Sequence, residues 1–404
     1  MAYLISQYPA VNHTYILREI RELRKSGWDI EVASIRPDTR PASQLTAEER
    51  EESAHTRYVT MQGFYGALRA HLIALVMQPR SYIRGMLSAL ELGGADIRKA
   101  VWNFFYFTEA LIVGQWMGER GLNHVHIHYA STVGLLIAKT YPVTISITIH
   151  GSAEFENPTS FHLREKIEAS SFVCAISDYG RTQLMKACGS DQWDKIETVR
   201  LGIDPSLFVP RSAPAGRRDS FNVTSVGNLT HAKGHRILIE AVTQLVGKGR
   251  RVHLRLVGEG PDRSTLESRI SDCGLFDTVS LEGTLNQDQL RALYRESDAF
   301  ALASLAEGVP VVLMEAMAME IPCVATRITG IPELIENEIN GLLVEPSNAG
   351  QLAAAIAELM DNPDLYRRIA TAGRRKIIEE YNLSKNVALL AKLFNNRANL
   401  LPTR

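Results

Sequence analysis

Short apolar runs alternate with amphipathic helical stretches along this chain, and the alternation stops once and restarts. Residues 2–5, 30–35, 125–128, 143–149 and 172–176 read as strands, with helical periodicity over 15–25, 133–139 and 179–187. Strands separated by helices pair in parallel, because each crossover returns the chain to the same end of the sheet. A stretch rich in Pro, Arg, Ala and Gly, residues 205–220, interrupts the pattern. The alternation resumes at 222–227 and runs on through 252–258, 279–281, 299–303 and 323–326. Such a composition break marks a linker. The expectation is an α/β chain of two doubly wound domains, residues 1–205 and 206–382, and 404 residues suffice for both. A last helical pattern over 386–395 follows a break at Tyr381-Asn382-Leu383-Ser384, where Ser384 is the expected N-cap.

Charge and composition remove several classes. A formal net charge of −1 lacks the basic excess of a nucleic-acid binder. Cys174, Cys188, Cys273 and Cys323 show no paired spacing, which predicts neither a disulfide framework nor a cysteine zinc site. The first residues do not read as a signal peptide, and the most apolar stretch, 101–117, is broken by Asn103, Glu109 and Gln115. The expected location is cytoplasmic, with peripheral contact on the cytoplasmic face of the membrane left open. Residues 64–92 mix aromatic, Leu and Arg side chains, a composition suited either to an anionic membrane surface or to helices covering one side of a sheet.

The chemistry concentrates in Glu307-Gly308-Val309-Pro310, followed by Val311 to Glu315. Proline is tolerated in a first helical turn, so a helix is expected from Pro310 to Met319. The unpaired amides of such a start bind phosphate, and Gly308 lets a ligand approach the backbone. Glu307 lies just outside the helix and Glu315 inside it, so two carboxylates flank the phosphate position. A diphosphate with hydroxyls on both sides is a nucleotide sugar. Upstream, Gly227-Asn228 ends one strand and Lys233-Gly234 opens the next helix. Gly258-Glu259-Gly260 resembles a dinucleotide loop, but Arg263 stands where the third glycine belongs, which disfavours a nicotinamide oxidoreductase. His124, His126 and His128 alternate along a strand and share one face; a zinc site there lacks an evident carboxylate.

The segment S-L-A-E-G-V-P-V-V-L-M-E-A-M-A-M-E-I-P-C-V-A-T (304–326) resembles the signature of family-4 glycosyltransferases, retaining enzymes of the GT-B fold. V-G-N-L-T-H-A-K-G (226–234), L-V-G-E-G-P (256–261), G-I-P-E-L-I (330–335), N-G-L-L-V (340–344), I-H-G (149–151), C-A-I-S-D-Y (174–179) and L-G-I-D-P-S-L-F-V-P (201–210) follow the family order. H-V-H-I-H-Y (124–129) is similar to a segment of exopolysaccharide and colanic-acid-type members. The resemblance implies two facing Rossmann-like domains with the active site in the cleft between them, and a C-terminal helix, 383–404, returning to the first domain. It implies a UDP- or GDP-sugar donor, no required metal or other cofactor, and a glycan or polyprenyl-linked oligosaccharide acceptor.

By resemblance, Lys233 and the backbone around Gly227, Asn228, Gly308, Val309 and Pro310 hold the diphosphate, with Gly258 near the nucleotide. Glu307 takes hydroxyls of the transferred sugar, Glu315 the ribose, and His150 sits beside the reacting carbon. Asn12, His13, Thr14 and His128 are the expected acceptor-side residues; a plain loop-and-cap role suits the first three equally. Three departures stand out. Asn228 replaces a common arginine, Glu320 a helix-ending glycine, and Thr329 the first of a Gly-Gly pair. A sugar-nucleotide epimerase and a silent sugar-nucleotide-binding protein are the competing readings.

Overall fold

The structure, a computed structural model, describes residues 1–10, 13–211 and 220–402. Asn12 and half of the expected linker, residues 212–219, lie outside the described residues. The chain forms two compact units: Met1–Val199 together with Val387–Arg404, and Arg200–Asn386. The division falls at Arg200, a few residues ahead of the composition break.

The first unit holds a seven-stranded sheet of β1 (Ala2–Gln7), β2 (Glu31–Arg36), β3 (Arg57–Tyr58), β4 (His124–His128), β5 (Thr144–Ile149), β6 (Phe172–Ala175) and β7 (Ile196–Thr198). Its order is β3-β2-β1-β4-β5-β6-β7, and every pairing is parallel. The second sheet, β8 (Phe221–Val226), β9 (Val252–Val257), β10 (Val279–Gly283), β11 (Ala299–Leu302), β12 (Cys323–Thr326) and β13 (Leu342–Val344), runs β10-β9-β8-β11-β12-β13, also parallel. In each sheet the strand order reverses once, between β1 and β4 and between β8 and β11. The loops leaving these neighbouring strands diverge, and doubly wound sheets bind ligands at that crevice.

Central strands such as β11 and β12 are buried throughout, so they read as continuous apolar runs. The C-terminal helix, Leu383–Ala398, begins earlier than its pattern suggested. Asn382 is its cap, its side chain accepting from the Lys385 amide at 3.3 Å, which places Ser384 inside the helix. Most of this helix belongs to the first unit, where the fully buried Phe394 packs against Trp28 and Phe172.

Candidate active site

In the second unit, the loops after β8 and β11 bring Lys233 and Glu307 together. Lys233 Nζ lies 2.6 Å from Glu307 Oε1, and the Ser304 hydroxyl donates to the same oxygen at 2.7 Å. Both charged side chains retain some exposure, so the pair meets solvent. Three bonds fix the Glu307 loop. The Leu305 amide donates to the Ala232 carbonyl at 2.7 Å, the Thr326 hydroxyl to the Ser304 carbonyl at 2.6 Å, and the Thr329 hydroxyl to the Glu307 carbonyl at 2.7 Å. Thr329 adopts φ 45°, an uncommon backbone for a β-branched residue, and this last bond accompanies it. At Gly258, φ 137°, a Cβ would fall 2.0 Å from the Gly227 carbonyl oxygen, so only glycine lets the two loops pack.

The helix after Glu307 spans Val311–Ala318, one residue shorter at each end than expected. Pro310 is its N-cap and not its first helical residue, because ψ is 120°, in the extended range. Val309 is buried, Asn228 is exposed, and Gly308 keeps partial exposure at the helix mouth. Glu315 is turned inward: it is 1% exposed and accepts from the Tyr294 hydroxyl at 3.4 Å. The helix closes at Glu320, φ 56°, where the Ile321 amide bonds the Ala316 carbonyl and the Glu320 amide the Met317 carbonyl. This is the left-handed ending expected there, with glutamate in glycine's place.

In the first unit, β4 and β5 are laced by histidines and hydroxyls. His124 contacts Thr144 Oγ1 at 2.7 Å and Ser146 Oγ at 2.9 Å; His126 contacts Ser146 Oγ at 2.8 Å and Thr148 Oγ1 at 3.0 Å. The ladder ends where His128 Nδ1 meets His150 Nε2 at 2.8 Å. The carboxylate that the sequence failed to suggest is Glu19, whose Oε1 lies 3.2 Å from His128 Nε2 and accepts from the Tyr3 hydroxyl at 3.0 Å. Glu19, His126 and His128 could thus offer three ligand atoms within 4.8 Å of one another. A metal there would displace one of the two His126 hydrogen bonds and the Tyr3–Glu19 contact, all of them satisfied in the ladder, so this chemistry fits a hydrogen-bonded ladder better than a metal centre.

His150 is buried, and its Nδ1 has no hydrogen-bond partner among the described residues. Burial, then His128 and His13, push its pKa well below the ordinary 6.5, so the ring is neutral. Tyr129 stacks on it at 4.6 Å and His13 stacks on Tyr129 at 4.5 Å. Tyr129 sits at φ 64°, with its hydroxyl bonded to that of Tyr15. His13 is the N-cap position of the helix Thr14–Lys25 but makes no side-chain cap bond; its own Nδ1 is buried without a hydrogen-bond partner among the described residues.

The family model for glycosyl transferases group 1 matches residues 212–376, which include every second-unit residue above. The chain carries a group 1 glycosyltransferase domain. Over nearly its full length it is also similar to named glycosyltransferases. The amylovoran biosynthesis glycosyltransferase AmsK of Erwinia amylovora is 26% identical over 417 residues, covering 98% of this chain and 100% of that protein. WcaL of Salmonella typhimurium, provisionally named a colanic acid biosynthesis glycosyltransferase, is 26% identical over 395 residues, covering 95% and 96%. Among solved structures, Anabaena HepE in complex with UDP and glucose superposes with a TM-score of 0.75 at 19% identity, covering 98% of this chain and 99% of that one. The two Rossmann-like units therefore have the GT-B fold.

Sequence reasoning on this glycosyltransferase missed Ser304, Tyr15, Tyr129 and the role of Glu19. Ser304 lay inside the signature segment, three residues before Glu307, and a hydroxyl at that spacing was the available signal. Glu19 had none, because its partners come from a distant strand.

Proposed function

We propose that this glycosyltransferase moves a sugar from a nucleoside diphosphate sugar to an acceptor hydroxyl with retention, in assembly of an exopolysaccharide or other surface polysaccharide. The observation that carries the reading is the Lys233–Glu307–Ser304 cluster ahead of the helix Val311–Ala318, at the strand-order reversal of the second sheet. An ammonium beside a helix start suits a diphosphate, and a carboxylate suits sugar hydroxyls. The two groups neutralise each other in the free chain. An arriving diphosphate draws Lys233 away, and Glu307 is released to accept from the hydroxyls of the transferred sugar. Ribose hydroxyls go to Glu315, in exchange for its long contact with Tyr294.

The bond from the anomeric carbon to the diphosphate breaks, and a bond to the acceptor oxygen forms on the same face. The acceptor proton passes to the departing diphosphate, whose charge Lys233 and the helix amides stabilise. His150 is proposed to accept from a substrate hydroxyl through its Nδ1, unpartnered among the described residues. AmsK and WcaL, named for amylovoran and colanic acid biosynthesis, support a polysaccharide product, and a polyprenyl-linked oligosaccharide is the proposed acceptor. HepE, solved with UDP and glucose, makes UDP-glucose the first donor to try.

The test is donor turnover and UDP or GDP binding by the intact chain. Lys233→Ala and Glu307→Ala should each cut nucleoside diphosphate release by about a hundredfold or more, the scale of losing one transition-state stabiliser. Circular dichroism should be unchanged. Turnover at the native rate in either variant overturns the site. Product analysis separates transfer from epimerisation, which returns an altered sugar nucleotide without an acceptor.

A further inference from the structure

Three successive helices of the first unit, Gly63–Met77, Pro79–Gly93 and Ile97–Glu119, are packed with their small residues inward and many of their large apolar residues outward. The first buries Ala70 and Ala74, and exposes Phe64, Leu68 and Leu72 at successive four-residue steps along one stripe. The second buries Gly85, Ala89 and Gly93 and exposes Ile83, Leu87 and Leu90. At Gly85 an added Cβ would meet Phe107 at 2.7 Å, and at Gly93 the Ala100 backbone at 2.7 Å, so the small residues are what let these helices approach. The third buries its C-terminal half, from Phe107 onward, but its first turns expose Val101, Trp102 and Phe105. Exposures of 77% at Phe64 and 59% at Trp102 are large for aromatic side chains.

A helix in water gains by turning its large apolar groups inward. The opposite arrangement, repeated on three consecutive helices, is the packing used where the surroundings are themselves apolar: small residues between helices, large ones facing lipid. An apolar surface of this extent marks an interaction site. Its charge selects the partner. Exposed cations Arg69, Arg80, Arg84, Arg98 and Lys99 lie among these stripes, Arg69 facing Glu119 at 3.9 Å, whereas the other exposed anions on residues 60–119 are Glu91 and Asp96. Asp96 is occupied in capping the third helix, accepting from the Arg98 and Lys99 amides. No described helix is long and apolar enough to cross a membrane. From these features we infer that the three-helix face seats on an anionic lipid bilayer, its aromatic and leucine side chains in the interface and its arginines among the headgroups. The inference stands apart from the donor reading, since vesicle binding requires no turnover.

The experiment is flotation of the intact chain with phosphatidylcholine vesicles prepared with and without phosphatidylglycerol. The expected result is flotation with the phosphatidylglycerol vesicles, weakened by added salt and much reduced on phosphatidylcholine alone. Leu72→Asp and Phe105→Asp should each lower the bound fraction by about tenfold, with near-UV circular dichroism preserved. A native chain that stays at the bottom of the gradient with both vesicles overturns the inference. So does a native dimer, without vesicles, that the same substitutions convert to monomer, because the face then belongs to a second copy.

Discussion

His150 is neutral and therefore carries one ring proton, whose position the surrounding groups decide. Glu19 Oε1 faces His128 Nε2 at 3.2 Å, off the line of a good hydrogen bond but close enough to favour a proton on that nitrogen. His128 Nδ1 is then bare and accepts from His150 Nε2, 2.8 Å away. His150 Nδ1 is left as an unprotonated nitrogen, able to accept from the substrate hydroxyl proposed for it. Nitrogen NMR of the native chain should show a pyridine-like His150 Nδ1. Glu19→Gln can present an amide N–H to His128, and should shift that signal while lowering kcat more than it alters KM. A protonated Nδ1 in the native chain contradicts this assignment.

At the scale of elements, the β4–β5 ladder makes the first unit sensitive to acid. Burial, then the nearby N-terminal ammonium, lowers His124 to about 3. Burial, then His128, His124 and His150, puts His126 well below 6.5, and His150 is depressed likewise. The unfolded chain takes up these protons near the ordinary 6.5 and the native chain does not. Stability from the three histidines is therefore complete above about 6.5 and lost as the pH falls toward 3. Glu109, raised by burial to about 7, and Glu154, also raised by burial, oppose this, against the ladder histidines together with His13, His71 and His162, which burial likewise lowers. Urea unfolding should thus show the first unit less stable at about pH 5 than at about pH 7.5, and a flat profile contradicts it. The second element prediction concerns the ending of Val311–Ala318. Glycine at Glu320 would relieve the φ 56° strain, partly offset by greater freedom of the unfolded chain, for a net gain of about 0.5–1 kcal/mol. Denaturant midpoints of Glu320→Gly check the sign; a loss of stability means the side chain has a role that outweighs the strain.

Across the whole molecule, what the sequence made legible follows from local periodicity. Strands of four buried residues, such as β11 and β12, stood out because both faces are covered and the run is almost wholly apolar. The sheet-edge strands β3, β7 and β13 have only two or three residues, too few for any period to appear. The charged cluster was half readable. Spacing brought out Glu307, Glu315 and Lys233, but it could not show that Lys233 and Glu307 pair or that Glu315 turns toward Tyr294. Those contacts depend on which loops the strand order makes neighbours. The three-helix face was half readable for a related reason: its composition suited either a membrane surface or helices covering a sheet, and only packing reveals that the small residues went inside.

A crystal structure of the chain with UDP tests the central assignment most directly. The diphosphate should lie within hydrogen-bonding distance of Lys233 Nζ and the amides that open Val311–Ala318, with the Lys233–Glu307 contact lengthened from its 2.6 Å. A nucleotide bound elsewhere, with that pair intact, contradicts it.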